Sequence, residues 1–259
     1  LMKKICHMNK TQGQRKMGET ILRGEDIYKT FQVGNNQVEV LKGVNIEIKK
    51  QEFIILFGSS GCGKSTLLNV LLGLEVPTKG KVIFMDEDIY LYDEDRRSQI
   101  RKERVGMVFQ QQNWFKSINV IENVALPLTL KGVLREERNQ RAYELLEKVH
   151  MQDSAYQMPT ELSSGQQQKV AFARALITDP VLLVADEPTG NLDSKSSVEL
   201  MRMFSEYNEQ GNTIIMVTHD LEFLSLATRS LNMSDGLIIA EYLRGDEELE
   251  KFKFKNTKK

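Results

Sequence analysis

Two periods of apolar and polar residues alternate along the chain, and each change of period marks a new element. Residues 37–48, Q-V-E-V-L-K-G-V-N-I-E-I, place apolar side chains at every second position, the pattern of a strand with one covered face. Residues 26–31 supply a strand candidate before them, with turns at Asn35-Asn36 and Gly43. The continuous run F-I-I-L-F at Phe53–Phe57 predicts a strand covered on both faces. Residues 66–74 then take up helical spacing, as do residues 118–128, and residues 134–149 read as a charged amphipathic helix. From residue 181 onward, apolar strand-like runs at 181–185 and 213–218 alternate with helical stretches at 194–209 and 221–227. Such alternation predicts a parallel sheet with covering helices, so the expected class is α/β with a helical lobe inserted between residues 110 and 162.

Composition narrows the picture without changing it. A chain of 259 residues that is 41% hydrophobic can bury one large core or two modest lobes. A net charge of -1 and a pI near 6.4 give no overall field toward nucleic acid or anionic lipid, and no nucleic-acid partner is expected. The longest apolar runs have five residues, whereas a membrane helix needs roughly 18 or more. Residues 1–18 carry five Lys/Arg and no acid but lack the apolar core of a signal peptide. They read as a disordered basic extension over residues 1–20, and residues 244–259 as a charged, solvated tail. Cys6 and Cys62 are far apart, and a disulfide at Cys62 would obstruct the loop in which it lies, which points to a reducing cytoplasm.

That loop is G-S-S-G-C-G-K-S-T: Gly58, Ser59, Ser60, Gly61, Cys62, Gly63, Lys64, Ser65 and Thr66. Its glycines let backbone N–H groups turn inward around phosphate oxygens, and the helix that follows presents its positive end to the same anion. Lys64 brings a full charge to the terminal phosphates, Ser65 a hydroxyl for Mg²⁺, and Thr66 a further donor. The strand, the glycine-rich loop and the helix occur in the order the motif requires. Asp186 closes a buried apolar run, where an unpaired carboxylate is costly and a nearby cation relieves the cost. No N-K-x-D guanine-reading element occurs.

Four further segments point one way together: L-S-S-G-Q at residues 162–166 running into Q-Q-K-V-A-F-A-R-A-L, V-L-L-V-A-D-E-P at 181–188, V-G-M-V-F-Q at 105–110, and T-H-D around His219. Over about residues 20–242 the chain resembles the nucleotide-binding ATPase subunits of ABC transporters. The resemblance implies a phosphate-loop NTPase fold with a mainly parallel core sheet, an antiparallel β subdomain and an inserted α-helical subdomain. It implies ATP and Mg²⁺ as ligands, with an ATPase domain over residues 21–243 and the helical subdomain at about 111–166. It assigns Asp186 to the Mg²⁺ shell, Glu187 to the general base, Gln110 to Mg²⁺ and the attacking water, and His219 to the γ-phosphate and Glu187. Phe31 falls where the family places an aromatic under adenine, with Tyr28 as a rival. Ser163, Gly165 and Gln166 would grip the γ-phosphate of ATP held by a second subunit, and Asp193 would sense that subunit across the interface. One departure stands out, since Ser164 replaces the signature's usual first glycine. Trp114 and Phe115 lie in a stretch where the family docks its membrane partner.

The implied protein is a dimer, with itself or with a similar ATPase, bound to separate membrane permease subunits at the cytoplasmic face of the cell membrane. A-D-E-P-T-G-N-L-D-S and E-N-V-A-L-P-L look most like the branch containing lipoprotein-release, macrolide-efflux and bacitracin-resistance ATPases. The alternative role within that branch is a cell-division regulator that switches a wall hydrolase without transport. A soluble DNA-repair or translation-factor ATPase would need a long coiled-coil insertion, zinc-ligand spacing or tandem cassettes, and the sequence has none of these.

Overall fold

A computed structural model describes residues 18–111 and 113–249 of the chain; the basic segment at residues 1–17 and the end of the tail lie outside the described residues. β1 (Thr20–Val33) and β2 (Asn36–Lys49) form an antiparallel hairpin closed at Gly34-Asn35, where Val33 pairs Asn36 and Gly34 has φ 60°. β1 starts six residues before the expected strand at residue 26. Asp26 has φ 49° and the register shifts between Gly24 and Ile27, so a bulge breaks the alternation and hides the first half of the strand. β1 also pairs β4 (Lys79–Phe84), which pairs the two-residue β5 (Glu87–Asp88), giving a four-stranded antiparallel sheet in the order β2-β1-β4-β5.

The second sheet runs β10-β9-β3-β8-β7-β6. β3 (Phe53–Phe57), β6 (Val105–Phe109), β7 (Leu182–Asp186), β8 (Thr213–Thr218) and β9 (Arg229–Ser234) are parallel, and β10 (Leu237–Leu243) returns antiparallel on the edge. β3 is covered on both faces as its sequence predicts. Phe53, Ile55 and Phe57 enter one apolar core, and Ile54 and Leu56 enter the other. All five are at most 2% exposed, each worth about 1.5–3 kcal/mol of burial.

The second core is roofed by α1 (Lys64–Leu71), which packs on β1 and β2. The first core is filled by α3 (Val120–Leu130), α4 (Arg135–Lys148), α5 (Ser164–Leu176) and α6 (Ser194–Glu209), after α2 (Glu94–Arg104) has led into β6. α3 begins with a capping box between Asn119 and Glu122. This is the phosphate-loop NTPase architecture, with an antiparallel β layer and a helical insertion between β6 and β7.

Two expectations change. The stretch at 221–227 is a 3₁₀ turn, Leu221–Leu226, capped by Asp220, rather than a regular helix. The tail is anchored where it begins. Arg244 donates to the carbonyls of Ala227 and Leu226, and Leu249, only 3% exposed, packs into the first core. Residues 250–259 lie outside the described residues.

Candidate active site

Parallel register brings four chain segments to one edge of the sheet. Phe57 pairs Thr218, Val217 pairs Asp186, and Asp186 pairs Phe109, so β3, β8, β7 and β6 end in a row. The residues that follow them are Gly58, His219, Glu187 and Gln110. A crevice at the carboxyl ends of parallel strands is where open α/β sheets bind their ligands.

Between β3 and α1 the backbone folds back on itself. A side chain at Gly58 would place its Cβ 2.1 Å from the Met233 carbonyl oxygen, and Gly63 stands at φ 103° as the N-cap of α1. Only glycine fits these two positions. No side chain caps α1, whose first internal bond is Leu67 N to Gly63 O at 2.8 Å. The N–H groups of the first turn of α1 are therefore available to an anion, while that of Cys62 donates to Ser59 O at 3.3 Å. Lys64, 7% exposed, donates from Nζ to the carbonyls of Gly58 and Ser59 at 2.9 and 3.0 Å, with Cys62 Sγ at 3.9 Å. Ser59, Ser60 and Gly61 are exposed along the loop, Cys62 is buried as a free thiol, and Thr66 is half-buried in the first turn of α1.

Ser65 Oγ donates to Asp186 Oδ1 at 3.2 Å, joining α1 to the end of β7. Burial holds the Asp186 carboxyl above the usual carboxylate range; the Ser65 hydroxyl pulls it down, Glu187 pushes it up, and Lys64 pulls it down. A divalent cation would relieve that burial cost. Among the described residues no group of three or more His, Cys, Asp or Glu could hold a metal by itself. One carboxylate with a hydroxyl beside a phosphate loop suits Mg²⁺, which takes few protein ligands and completes its shell with phosphate and water.

Glu187 has φ 48°, a conformation rarely adopted by a residue with a side chain, and its N–H donates to Val217 O at 2.9 Å. Its Oε2 lies 2.7 Å from His219 Nδ1 and accepts from the His219 N–H at 3.4 Å. With the carboxylate accepting, Nδ1 carries the hydrogen and Nε2 keeps its capacity for another partner. The Glu187 side chain is 19% exposed and that of His219 66%, so the imidazole is open to solvent while the carboxylate is largely covered. Gln110 completes this side: its Nε2 lies 2.6 Å from where a Cβ on Gly190 would stand, and Gly190 N donates to Glu187 O at 3.2 Å. Gly190, unassigned in the sequence reading, makes room for the Gln110 amide.

Ser163, Gly165, Gln166 and Asp193 form a second cluster. Ser163 caps α5, its Oγ accepting from Gln166 N at 3.3 Å while Gln166 Oε1 accepts from Ser163 N at 2.9 Å. Asp193 caps α6, accepting from Ser196 N at 2.9 Å and Ser196 Oγ at 2.8 Å, which lowers its pKa. The two helix starts meet at Gly165, where a Cβ would lie 2.7 Å from Ser196 Oγ. Among the described residues, the hydrogen bonds of Ser163, Gln166 and Asp193 stay within their own helix starts, and none reaches Lys64, Ser65 or Glu187. Ser164 has an ordinary helical conformation and is exposed, so its departure from glycine strains nothing.

Phe31 is half-buried in β1 opposite Val38, with Lys29 Nζ 4.8 Å from its ring centroid. The Tyr28 ring is packed against Gly43, its nearest atom 2.7 Å from where a Cβ would stand. Tyr28 is thus committed to the sheet, and Phe31 is the freer aromatic.

The sequence profile of the ABC transporter family matches residues 41–190. An uncharacterized ABC transporter ATP-binding protein of Thermotoga maritima is 44% identical over 220 residues, covering 85% of this chain and 94% of that protein. The lipoprotein-releasing system ATP-binding protein LolD of Aquifex aeolicus is 41% identical over 224 residues, covering 86% and 98%. The macrolide export ATP-binding/permease protein MacB of Chlorobium phaeobacteroides is 41% identical over 216 residues, or 83% of this chain; the chain spans only 33% of that longer protein. Among solved structures, the dimeric post-hydrolysis state of the ATP-binding cassette MJ0796 bound to ADP and Pi superimposes with a TM-score of 0.80. The two are 37% identical, over 86% of this chain and 98% of that one.

Proposed function

The chain belongs to the ABC transporter family, and on that premise we propose that it closes as a dimer on two MgATP molecules to drive a separate membrane permease. The observation that carries this reading is the pairing of Ser65 with Asp186 and of Glu187 with His219 on neighbouring strand ends, beside an uncapped α1.

Each residue has a distinct task. The backbone of Gly58 to Gly63 and the start of α1 hold the phosphates. Lys64 gives up its two loop carbonyls for the terminal phosphates, and Thr66 donates beside it. Ser65 and Asp186 would hold Mg²⁺, with Gln110 reaching it from the end of β6; when bound, the ion neutralises charge on the β- and γ-phosphate oxygens. Glu187 takes the proton of the attacking water, and His219 holds the carboxylate in place while offering Nε2 toward the γ-phosphate. Phe31 stacks under adenine. Ser163, Gly165 and Gln166 complete the site of the opposing subunit, where the positive start of α5 meets its γ-phosphate, and Asp193 lies at the same interface.

Closure would do mechanical work on the permease and hydrolysis would reset it, with the subunit held peripherally at the cytoplasmic face of the membrane. The names of the LolD and MacB relatives support lipoprotein extraction or export as the type of task. The test is light scattering on purified Glu187→Gln protein with and without MgATP, together with its turnover. We expect a dimer only with MgATP and hydrolysis reduced by roughly 10² to 10⁴, the usual worth of general-base help. A monomer under both conditions, despite confirmed ATP binding, or near-wild-type hydrolysis, would overturn the reading.

A further inference from the structure

Two consecutive glutamines of α5 hold opposite ends of a single loop. Gln168, 1% exposed, donates from Nε2 to the Phe109 carbonyl at 3.1 Å and the Gln110 carbonyl at 3.4 Å. Gln167 accepts from the indole Nε1 of Trp114 at 3.1 Å and donates from Nε2 to the carbonyls of Pro159 and Leu162 at 3.0 and 3.1 Å. The Arg174 guanidinium, further along α5, lies 4.4 Å from the centroid of the Trp114 ring, a cation–π contact. Beyond Trp114, the buried Asn123 holds both the N–H and the carbonyl of Phe115 at 3.0 Å. Leu162 immediately precedes Ser163, the cap of α5.

An indole can donate but not accept, and an amide has one accepting end and one donating end. The Trp114 N–H and the two carbonyls therefore agree on which way the Gln167 amide faces, and the indole is the partner that ties its Oε1. With Oε1 engaged by Trp114, both hydrogens of Nε2 go to the two carbonyls. Without the indole donor Oε1 loses its partner while Nε2 keeps its two carbonyls, so the loop before Ser163 stays bonded to Gln167 but is no longer tied through it to Trp114.

We propose that Trp114 is a positioning residue that, through Gln167, fixes the Leu162 carbonyl and so couples the loop leaving Gln110 to the start of α5. The hydrogen bonds of Gln167 make this link in the nucleotide-free protein. Its functional consequence rests on the proposed function: when Gln110 shifts toward bound MgATP, the same loop draws on Trp114, and Gln167 passes the displacement to Ser163. A subunit's own nucleotide thereby sets its readiness to close on its partner.

Trp114→Phe removes the N–H while keeping a ring beneath Arg174, and Gln167→Leu removes the amide. For both variants we expect ATP affinity of the monomer within about twofold of the parent, because neither residue touches the phosphate loop. In the Glu187→Gln background the dimer dissociation constant with MgATP should rise about fivefold per composite site, the worth of one hydrogen bond. The double variant should be no worse than either single one. Fully additive losses, or unchanged dimerisation by variants of a parent that does dimerise, would overturn the coupling. Failure of the Glu187→Gln parent itself to dimerise would count against the composite ATP site instead. Amide hydrogen exchange in the nucleotide-free protein then decides the relay by itself. Trp114→Phe should speed exchange at residues 162–166 and leave β3 and α1 unchanged, and equal exchange at 162–166 would overturn it.

Discussion

Gly165→Ala should destabilise the nucleotide-free protein through one neighbour, Ser196. A Cβ at residue 165 would lie 2.7 Å from Ser196 Oγ and 3.0 Å from Ser196 Cβ. Rotating the hydroxyl away relieves the first contact and forfeits its bond to Asp193. The second cannot be relieved by rotation, because Cβ is fixed by the backbone of α6. The starts of α5 and α6 must then separate by a few tenths of an ångström, against the Lys169–Glu199 pair that ties the same helices at 2.8 Å. Overpacking of this kind costs about 1–3 kcal/mol. Alanine recovers at most about 1 kcal/mol of helix propensity over glycine, so the net loss should be about 1–2 kcal/mol. In a Ser196→Gly background both contacts vanish and only the propensity gain remains. There, Gly165→Ala should be neutral or stabilising, a coupling of roughly 1–3 kcal/mol between adjacent sites. Urea unfolding of the four proteins, followed by the emission of the chain's single tryptophan, measures this directly. An equal cost of Gly165→Ala in both backgrounds would refute the steric account of that glycine.

Asp186→Asn should raise the unfolding temperature of the nucleotide-free protein at neutral pH while removing stabilisation by MgATP. Burial lifts the folded pKa of Asp186, so its contribution is fully present below the unfolded pKa and is lost as pH rises through the folded one. Thermal scans of the parent and variant from acid to neutral pH should diverge in that window, and a variant less stable at pH 7 would contradict the sign. Asn123→Ala, which removes a 0%-exposed side chain bonded at 3.0 Å to Phe115, Ile118 and Asn119, should cost about 2–4 kcal/mol in urea unfolding. A loss under about 1 kcal/mol would mean that water replaces those bonds. Ser164→Gly should leave ATP-dependent dimerisation within about twofold of the parent, the expectation for an exposed residue that needs no positive φ. A large gain would show that the serine hinders closure.

The elements legible in the sequence were those whose side chains answer to one environment. β3 and β8 read as uninterrupted apolar runs because both of their faces are covered, and α6 was bounded correctly because Asp193 caps it and its apolar stripe is regular. α2 gave no signal, since Ile100 is its only buried residue and there is no stripe to detect. β9, R-S-L-N-M-S, is too polar to announce a strand, so its antiparallel return through β10 on the edge of the mainly parallel sheet leaves no signal either. Lys64, Ser65, Asp186, Glu187 and His219 were candidates from the sequence because each sits in a short motif. Gly190, Ser196, Gln167 and Asn123 were not. Each matters through what it touches across 8 to 80 positions of chain, and spacing carries no record of that contact.

The register of β7 has a consequence for how this chain can vary. Asp186 and Glu187 are consecutive, yet one meets α1 through Ser65 and the other meets His219 beyond β8. β7 ends at Asp186 and Glu187 turns off it at φ 48°, so a slip of one position would carry both acids away from their partners. β7 is held against that slip from both sides, by β6 and by β8. The strand thus behaves as a ruler with no tolerance. A single inserted residue within it should abolish hydrolysis without unfolding the sheet, whereas the exposed turn at Gly132, where even an added Cβ would meet nothing, can accept whole segments. Probes, tags or circular permutation points belong at such turns, on the side of the molecule where length is not being measured.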